Sequence, residues 1–156
     1  MSGTPAEIRP IRQEELPQAL ALVERVFMRF EAPEYEPRGV DAFFAFLRDP
    51  EAIRALALYG AFIEGSVAGV IATRGGSHIA LFFVEAERQG QGIGRALFDA
   101  ARETCRADAM TVNASPYAVE IYRRLGFAPL SGEQVTDGIR FTPMKCALQK
   151  EALCDR

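Results

Sequence analysis

The stretch Ile79-Ala80-Leu81-Phe82-Phe83-Val84-Glu85-Ala86-Glu87-Arg88-Gln89-Gly90-Gln91-Gly92-Ile93-Gly94-Arg95 decides the fold. Its first six residues are a continuous apolar run, the pattern of a central strand covered on both faces. From Gly92 to about Arg106, residues Ile93, Leu97, Ala100, Ala101 and Thr104 recur at helical spacing along one side. Met110-Thr111-Val112-Asn113 follows as a short strand. Strand, helix and strand in that order form a parallel pair with a right-handed crossover, because a tight turn cannot join parallel strands.

Upstream, Leu58 to Ile63 and Val67 to Thr73 read as strands around a Glu64-Gly65 turn, an antiparallel hairpin. Gly75-Gly76 turns the chain into Ile79. Earlier still, Leu16, Leu20, Val23, Phe27 and Phe30 step by four and three, which gives one helical face. The segment Glu31-Ala32-Pro33-Glu34-Tyr35-Glu36-Pro37 breaks that helix. A second helix carries Val40, Phe43, Phe44 and Leu47 and ends before Pro50. Glu7 to Arg12 alternates polar and apolar, with Pro10 marking an edge strand. Downstream, Ser115 to Leu125 is a helix with Ala118, Ile121, Tyr122 and Leu125 on one face, stopped by Gly126. Phe127 to Leu130 and Gly138 to Ala147 are the last two strands. The expected fold is mixed α/β (α+β), with helices on both faces of a mostly antiparallel sheet of about six or seven strands.

Composition narrows the function. The chain has 156 residues, 49% hydrophobic and 25% charged, ordinary for one globular domain spanning residues 1–156. A formal charge of −3 supplies no basic excess to displace counterions from nucleic acid. Apolar runs fall well short of the roughly 18 residues that span a bilayer, and Met1 to Pro10 lacks the pattern of a signal peptide. Three widely spaced cysteines, Cys105, Cys146 and Cys154, read as reduced thiols, so a cytoplasmic setting is expected. With one histidine, His78, no metal site is expected.

The glycine loop is the chemical signal. Gly90, Gly92 and Gly94 let the backbone turn sharply and let a ligand approach the main chain. The unpaired first amides of the following helix, with its dipole, suit a phosphate or pyrophosphate, and Arg88 and Arg95 flank them. A P-loop is excluded because no lysine follows the glycines. The dinucleotide fingerprint is excluded because Arg95 stands where its third glycine belongs. A glycine-rich turn without a ligand is the plain alternative.

Gln89-x-x-Gly92-x-Gly94 resembles the acyl-CoA loop of the GNAT superfamily of N-acetyltransferases. The setting resembles it too: Phe82-Phe83-Val84 before the loop, an amphipathic helix after it. A second segment agrees, Asn113-Ala114-Ser115-Pro116-Tyr117-Ala118-Val119-Glu120-Ile121-Tyr122-Arg123-Arg124-Leu125-Gly126-Phe127, similar to the family's asparagine-ended strand and its Tyr-x-x-Leu-Gly-Phe helix end. The element order from Glu7 to Ala147 fits the family's three-layer topology. The resemblance implies a V-shaped opening between the strands ending near Val84 and Asn113. It implies acetyl-CoA as cosubstrate, its pantetheine arm extending the sheet along Phe82, Phe83 and Val84. Gln89, Gly90, Gln91, Gly92, Ile93, Gly94 and Arg95 would hold the pyrophosphate, and Asn113 would meet the pantetheine or a bound water. As a strand-end turn former, Asn113 also needs no ligand.

The implied activity is direct transfer of acetyl from acetyl-CoA to a primary amine. An ordinary alkylamine, with a pKa near 10.4, is only about 0.04% neutral at pH 7, so a base or water chain helps, unless the amine arrives already neutral. Tyr122 stands where many similar enzymes have the general acid, and beside Ile121 and Leu125 a core aromatic is the plain alternative. Glu85, at the lip of the cleft, is a candidate base. His78 lies at the other end of its strand, and a water relay is a third route. An acetyl-cysteine intermediate on Cys105 lacks an activating histidine. By resemblance the acceptor enters past Phe27, Phe30, Glu31, Glu34, Tyr35, Glu36 and Phe43, with Arg140 and Phe141 opposite. The carboxylates would suit a cationic amine, on a small molecule or a peptide. The rival reading is a non-catalytic acyl-CoA sensor or accessory module. A monomer, or a homodimer through the last strands, is compatible with either.

Overall fold

A computed structural model describes residues 5–148, so Cys154 and the first four residues lie outside the description. The order is β1 (Glu7–Pro10), α1 (Leu16–Phe30), α2 (Pro37–Leu47), α3 (Pro50–Arg54), β2 (Leu56–Ile63), β3 (Ser66–Arg74) and β4 (His78–Val84). Then come α4 (Ile93–Thr104), β5 (Ala109–Ala114), α5 (Val119–Leu125), β6 (Ala128–Pro129), β7 (Gln134–Thr136) and β8 (Ile139–Ala147). The sheet runs β1-β2-β3-β4-β5-β8-β6, with β7 also on β8. All pairs are antiparallel except β4–β5.

The expected mixed three-layer architecture is present, with eight strands rather than six or seven. The addition is β7, joined to β8 by Asp137-Gly138, where both φ angles are positive (54° and 82°). An Asp-Gly pair is a strong two-residue hairpin signal, and the sequence reading passed over it. The turn is seated on α2. Glu36 N donates to Gly138 O at 3.0 Å, and a Cβ on Gly39 would stand 2.4 Å from that oxygen. Pro50 proves to be a helix start as well as a stop. Asp49 caps α3, its Oδ1 accepting from the amides of Glu51 and Ala52. The segment before α5 is a short 3-10 turn, Pro116–Ala118, and not α-helix.

Each helical layer buries its own core. Against α4 and α5 lie Ile71, Leu97, Phe98, Met110, Tyr122, Phe127 and Met144; against α1 and α2 lie Leu22, Val23, Phe27, Leu47, Val70, Leu81 and Phe83. The buried stripe of α1 is Ala19, Leu22, Val23, Val26 and Phe27. It is centred one step round from the expected one, so Leu16, Leu20 and Phe30 are only half-buried.

β4 positions the site. It is not covered evenly: Ile79, Leu81 and Phe83 are buried, while Ala80, Phe82 and Val84 are half-buried. A bulge explains the facing. Ala72 pairs with Leu81 and Thr73 with Ile79, so Ala80 is the extra residue. Ala80 and Leu81 then both pack toward α1, and Phe82 and Val84 toward α4. Parallel pairing with β5 is confined to His78–Thr111 and Ile79–Val112. Beyond Ile79 the two strands part, and β4 keeps a strand neighbour only at β3.

Candidate active site

A cavity of about 400 Å³ opens where β4 and β5 part, lined from both helical layers. Its floor is Phe82, Phe83 and Val84; Gln89, Gly90, Gly92, Gly94 and Arg95 form one end. Ala118, Ile121, Tyr122, Arg124 and Leu125 form the opposite wall, and Val26, Glu31 and Tyr117 close the far end.

The glycine end works through backbone. Gly92 is the N-cap of α4 with φ 89°, and Gly90 has φ 79°, left-handed values that favour glycine. Added side chains there would meet nothing within 4 Å, so handedness and not crowding demands glycine. The first helical bond is Ala96 N to Gly92 O, which leaves the amides of Ile93, Gly94 and Arg95 ahead of the ladder. A Cβ on Gly94 would stand 3.5 Å from Phe82, so glycine keeps that part of the floor low. Arg95, whose Nη2 donates to Arg124 O at 3.4 Å, gives this end a positive charge. Ile93 points its side chain into the core, and Gln91 donates to Glu87 O. These groups fit the acyl-CoA expectation: amides and an arginine for phosphates, and a one-sided strand for an amide-bearing arm.

Gln89 spans the opening. Its Nε2 donates to Val84 O at 3.0 Å, and its Oε1 accepts from the Tyr117 hydroxyl at 3.2 Å. Tyr117 in turn stacks on Phe30 with centroids 4.9 Å apart, and its amide donates to Glu34 Oε1 at 3.0 Å. One side chain thus ties β4 to the segment that carries α5.

Tyr122 is 5% exposed, packed against Phe82 and Phe127 at 5.7 and 5.3 Å. Burial, then the nearby charge of Glu31, pushes its phenol well above the ordinary value. It therefore stays protonated at every pH where the protein works. Both expectations for Tyr122 meet here: the ring belongs to the core, and the residue lines the cavity.

The other expected residues divide. Glu85, the candidate base, carries its carboxylate to Arg25 on α1 in a short ion pair and is not a lining residue. The 3-10 turn that follows β4 turns it toward α1. Asn113 is exposed and sits on β5 opposite Pro143 of β8, away from the lining. His78 hydrogen-bonds Thr111 at 2.9 Å, at the end of β4 remote from the cavity, and burial, then Arg74, lowers its pKa. Phe27 is fully buried, stacked on Phe43 at 3.9 Å, and belongs to the α1 core. Tyr35 meets Phe27 edge-on at 5.4 Å; burial, then Glu31 and Glu34, raises its pKa. Arg140 is held by Glu133 at 2.8 Å. Phe30 reaches the site through Tyr117, and Glu31 lines it directly.

Glu31 is the group whose setting the sequence did not disclose. Burial, and to a smaller extent Glu34, lifts its carboxyl to about 7, against a lowering contribution from Ser115. Tyr117, Arg124 and Val26 were also missed. Tyr117 lay inside the quoted Asn113–Phe127 segment, and its place after Pro116 at a strand end was the available signal.

Among the described residues no three His, Cys, Asp or Glu side chains gather as metal ligands, and no helix is long and apolar enough to cross a membrane. The structure resembles a GCN5-related N-acetyltransferase from Rhodopseudomonas palustris, with TM-score 0.80 and 22% identity over 95% of this chain and 98% of that one. It also resembles the PaiA N-acetyltransferase of Thermoplasma acidophilum in complex with coenzyme A, with TM-score 0.69 and 15% identity over 92% and 99%. A third likeness is a putative N-acetyltransferase from Lactobacillus plantarum, with TM-score 0.72 and 17% identity over 94% and 100%. At such identities the likeness concerns the fold. No curated protein matches the chain by sequence. The family model described as the acetyltransferase (GNAT) domain matches residues 31–148, most of the chain, and the chain belongs to that family.

Proposed function

We propose that the protein is an N-acetyltransferase that moves the acetyl group of acetyl-CoA directly to a primary amine. One observation carries the reading: the amides before α4, the one-sided stretch of β4 and Tyr122 converge on a single cavity. Phosphates would sit on the amides of Gln89 to Gly94 beside Arg95, and the pantetheine arm along Phe82 to Val84. That arm must displace the Gln89 amide from Val84 O. The thioester then reaches Tyr122. A thiol near pKa 8.5 is a better acid than this phenol, so Tyr122 remains protonated and its hydroxyl supports the departing sulfur. Membership of the family supports acyl transfer, and the coenzyme A complex of the Thermoplasma relative supports the cosubstrate. Cys105 and Cys146 are buried as thiols, consistent with a cytoplasmic enzyme.

The test is release of CoA thiol from acetyl-CoA across a panel of amines, with Tyr122→Phe alongside. Amine-dependent release that falls about 100-fold in the variant supports the transferase. Tight acetyl-CoA binding without release for any amine supports a sensor.

A further inference from the structure

We propose that Glu31 is the base that accepts the acceptor's proton, and that the acceptor is a primary amine with an apolar body and no carboxylate beside the amine. The proposal rests on the acyl-CoA reading above and assigns the far end of the same cavity. Glu31 is the one carboxylate among the lining residues, and it shares the cavity with Tyr122.

A second observation points to a partner at Glu31. Ser115 is 4% exposed, and its Oγ is the buried side-chain oxygen that finds no hydrogen-bond partner among the described residues. Its hydroxyl lies near enough to the Glu31 carboxyl to favour the ionised form, yet the two do not meet hydrogen-bond geometry in the free protein. A buried hydroxyl left without a bond is costly unless something completes it. An ionised Glu31 turned toward an incoming ammonium completes it, with Ser115 donating to one carboxylate oxygen.

The charges next to Glu31 disfavour an amino acid. Every group felt at Glu31 is acidic or neutral. Glu34 comes from the turn after α1, Ser115 from the end of β5, and Tyr35, Tyr117 and Tyr122 share the field of Glu31. Of the arginines of this neighbourhood, Arg25 pairs with Glu85 and Arg140 with Glu133, while Arg29 lies over the Phe30 ring at 5.1 Å and its charge reaches Tyr117. Of the lining arginines, Arg95 donates to the Arg124 backbone carbonyl at 3.4 Å on the glycine side of the cavity. A carboxylate carried next to the amine would therefore be brought against Glu31 and Glu34. An uncharged body instead meets Val26, Phe83, Tyr117 and Ile121.

The proton balance closes. Glu31 takes one proton from the ammonium and leaves a neutral amine. A C–N bond forms to the acetyl carbon as the C–S bond to CoA breaks. The Tyr122 hydroxyl gives its proton to sulfur and regains the one that nitrogen loses. The products are the amide and the thiol, and Glu31 returns its proton to solvent. With Glu31 at about 7, the gap to an ordinary alkylammonium shrinks from about six powers of ten to about three.

The test compares phenethylamine with phenylalanine and with phenylalaninamide, reading both acetyl-CoA affinity and thiol release. We expect phenethylamine and the amide to exceed phenylalanine by at least about 100-fold in kcat/KM. Glu31→Gln should lower kcat/KM about 100-fold with acetyl-CoA affinity unchanged, and should abolish an acid limb near pH 7 in the profile. Ser115→Ala, a change in a positioning residue, should move that limb to higher pH, which a merely structural role would not do. Phenylalanine turning over as well as phenethylamine overturns the substrate class. An acid limb that survives Glu31→Gln overturns the base. Acetyl-CoA that binds but yields no thiol with any of these amines overturns this proposal alone, whereas no acetyl-CoA binding overturns the reading beneath it.

Discussion

The two ends of the cavity recognise their ligands by different means. At the glycine end, main-chain amides and left-handed turns do most of the work, with the Arg95 side chain adding charge. At the Glu31 end, side chains from α1, its C-terminal cap, the 3-10 turn before α5 and α5 itself converge. The first kind of site is written in consecutive residues, and the second is assembled by the fold from segments about 85 residues apart in sequence, Glu31 and Ser115 to Tyr122.

Substitutions test that contrast most sharply where the two ends meet. Tyr122→Phe keeps the ring packing against Phe82 and Phe127 and removes only the hydroxyl, so kcat should fall about 100-fold with acetyl-CoA affinity unchanged. An equal loss of affinity would assign Tyr122 to binding. Next in size is a stability effect at the side-chain end. The carboxyl of Glu31 is raised from 4.5 to about 7 by folding, so the stability it permits is fully present below pH 4.5 and is lost as pH rises through 7. Glu31→Gln removes that penalty. Chemical denaturation at pH 8 should find the variant more stable by on the order of 2 kcal/mol, a difference that vanishes near pH 4. A variant less stable at pH 8 would show that Glu31 is satisfied as an ion in the free protein.

The backbone end predicts smaller and differently placed losses. Gly92→Ala must hold a φ of 89°, which costs about 1–2 kcal/mol, and acetyl-CoA affinity should drop about tenfold as the loop relaxes. Calorimetric titration that finds wild-type affinity would deny the loop its role. Gln89→Ala, by contrast, removes a side chain whose bonds go to Val84 O and Tyr117, so affinity should change less than about threefold. A tenfold loss there would mean that the loop binds through its side chains after all.

The same contrast explains what the sequence disclosed. Gln89 to Gly94 and the run before it announced a strand, a turn and an anion-binding helix start, because local φ preferences and apolar periodicity act on neighbouring residues. Tyr122 and Gly126 were legible for the same reason. Glu85 follows β4 directly and is the base candidate that local order suggests, while in the fold its carboxylate pairs with Arg25. Glu31 was legible as a polar residue after a helix. Its setting depends on the Pro116–Ala118 turn meeting the end of α1 through the Tyr117–Phe30 stack, which no local pattern encodes. The short strand β7 was written in Asp137-Gly138, whose turn signal was passed over. The bulge at Ala80 carries no such mark, since a register shift arises between two strands and not within one.

The pairing of β4 with β5 at only two positions makes the sheet two plates on a pivot. One plate is β1 to β4, the other β5 to β8, and the pivot holds His78, Ile79, Thr111 and Val112, with the bond between the His78 and Thr111 side chains across it. The angle between the plates sets the width of the gap about 15 Å farther along β4. A change at Thr111 is thus expected to act as a change of gauge, altering the gap from outside the cavity lining.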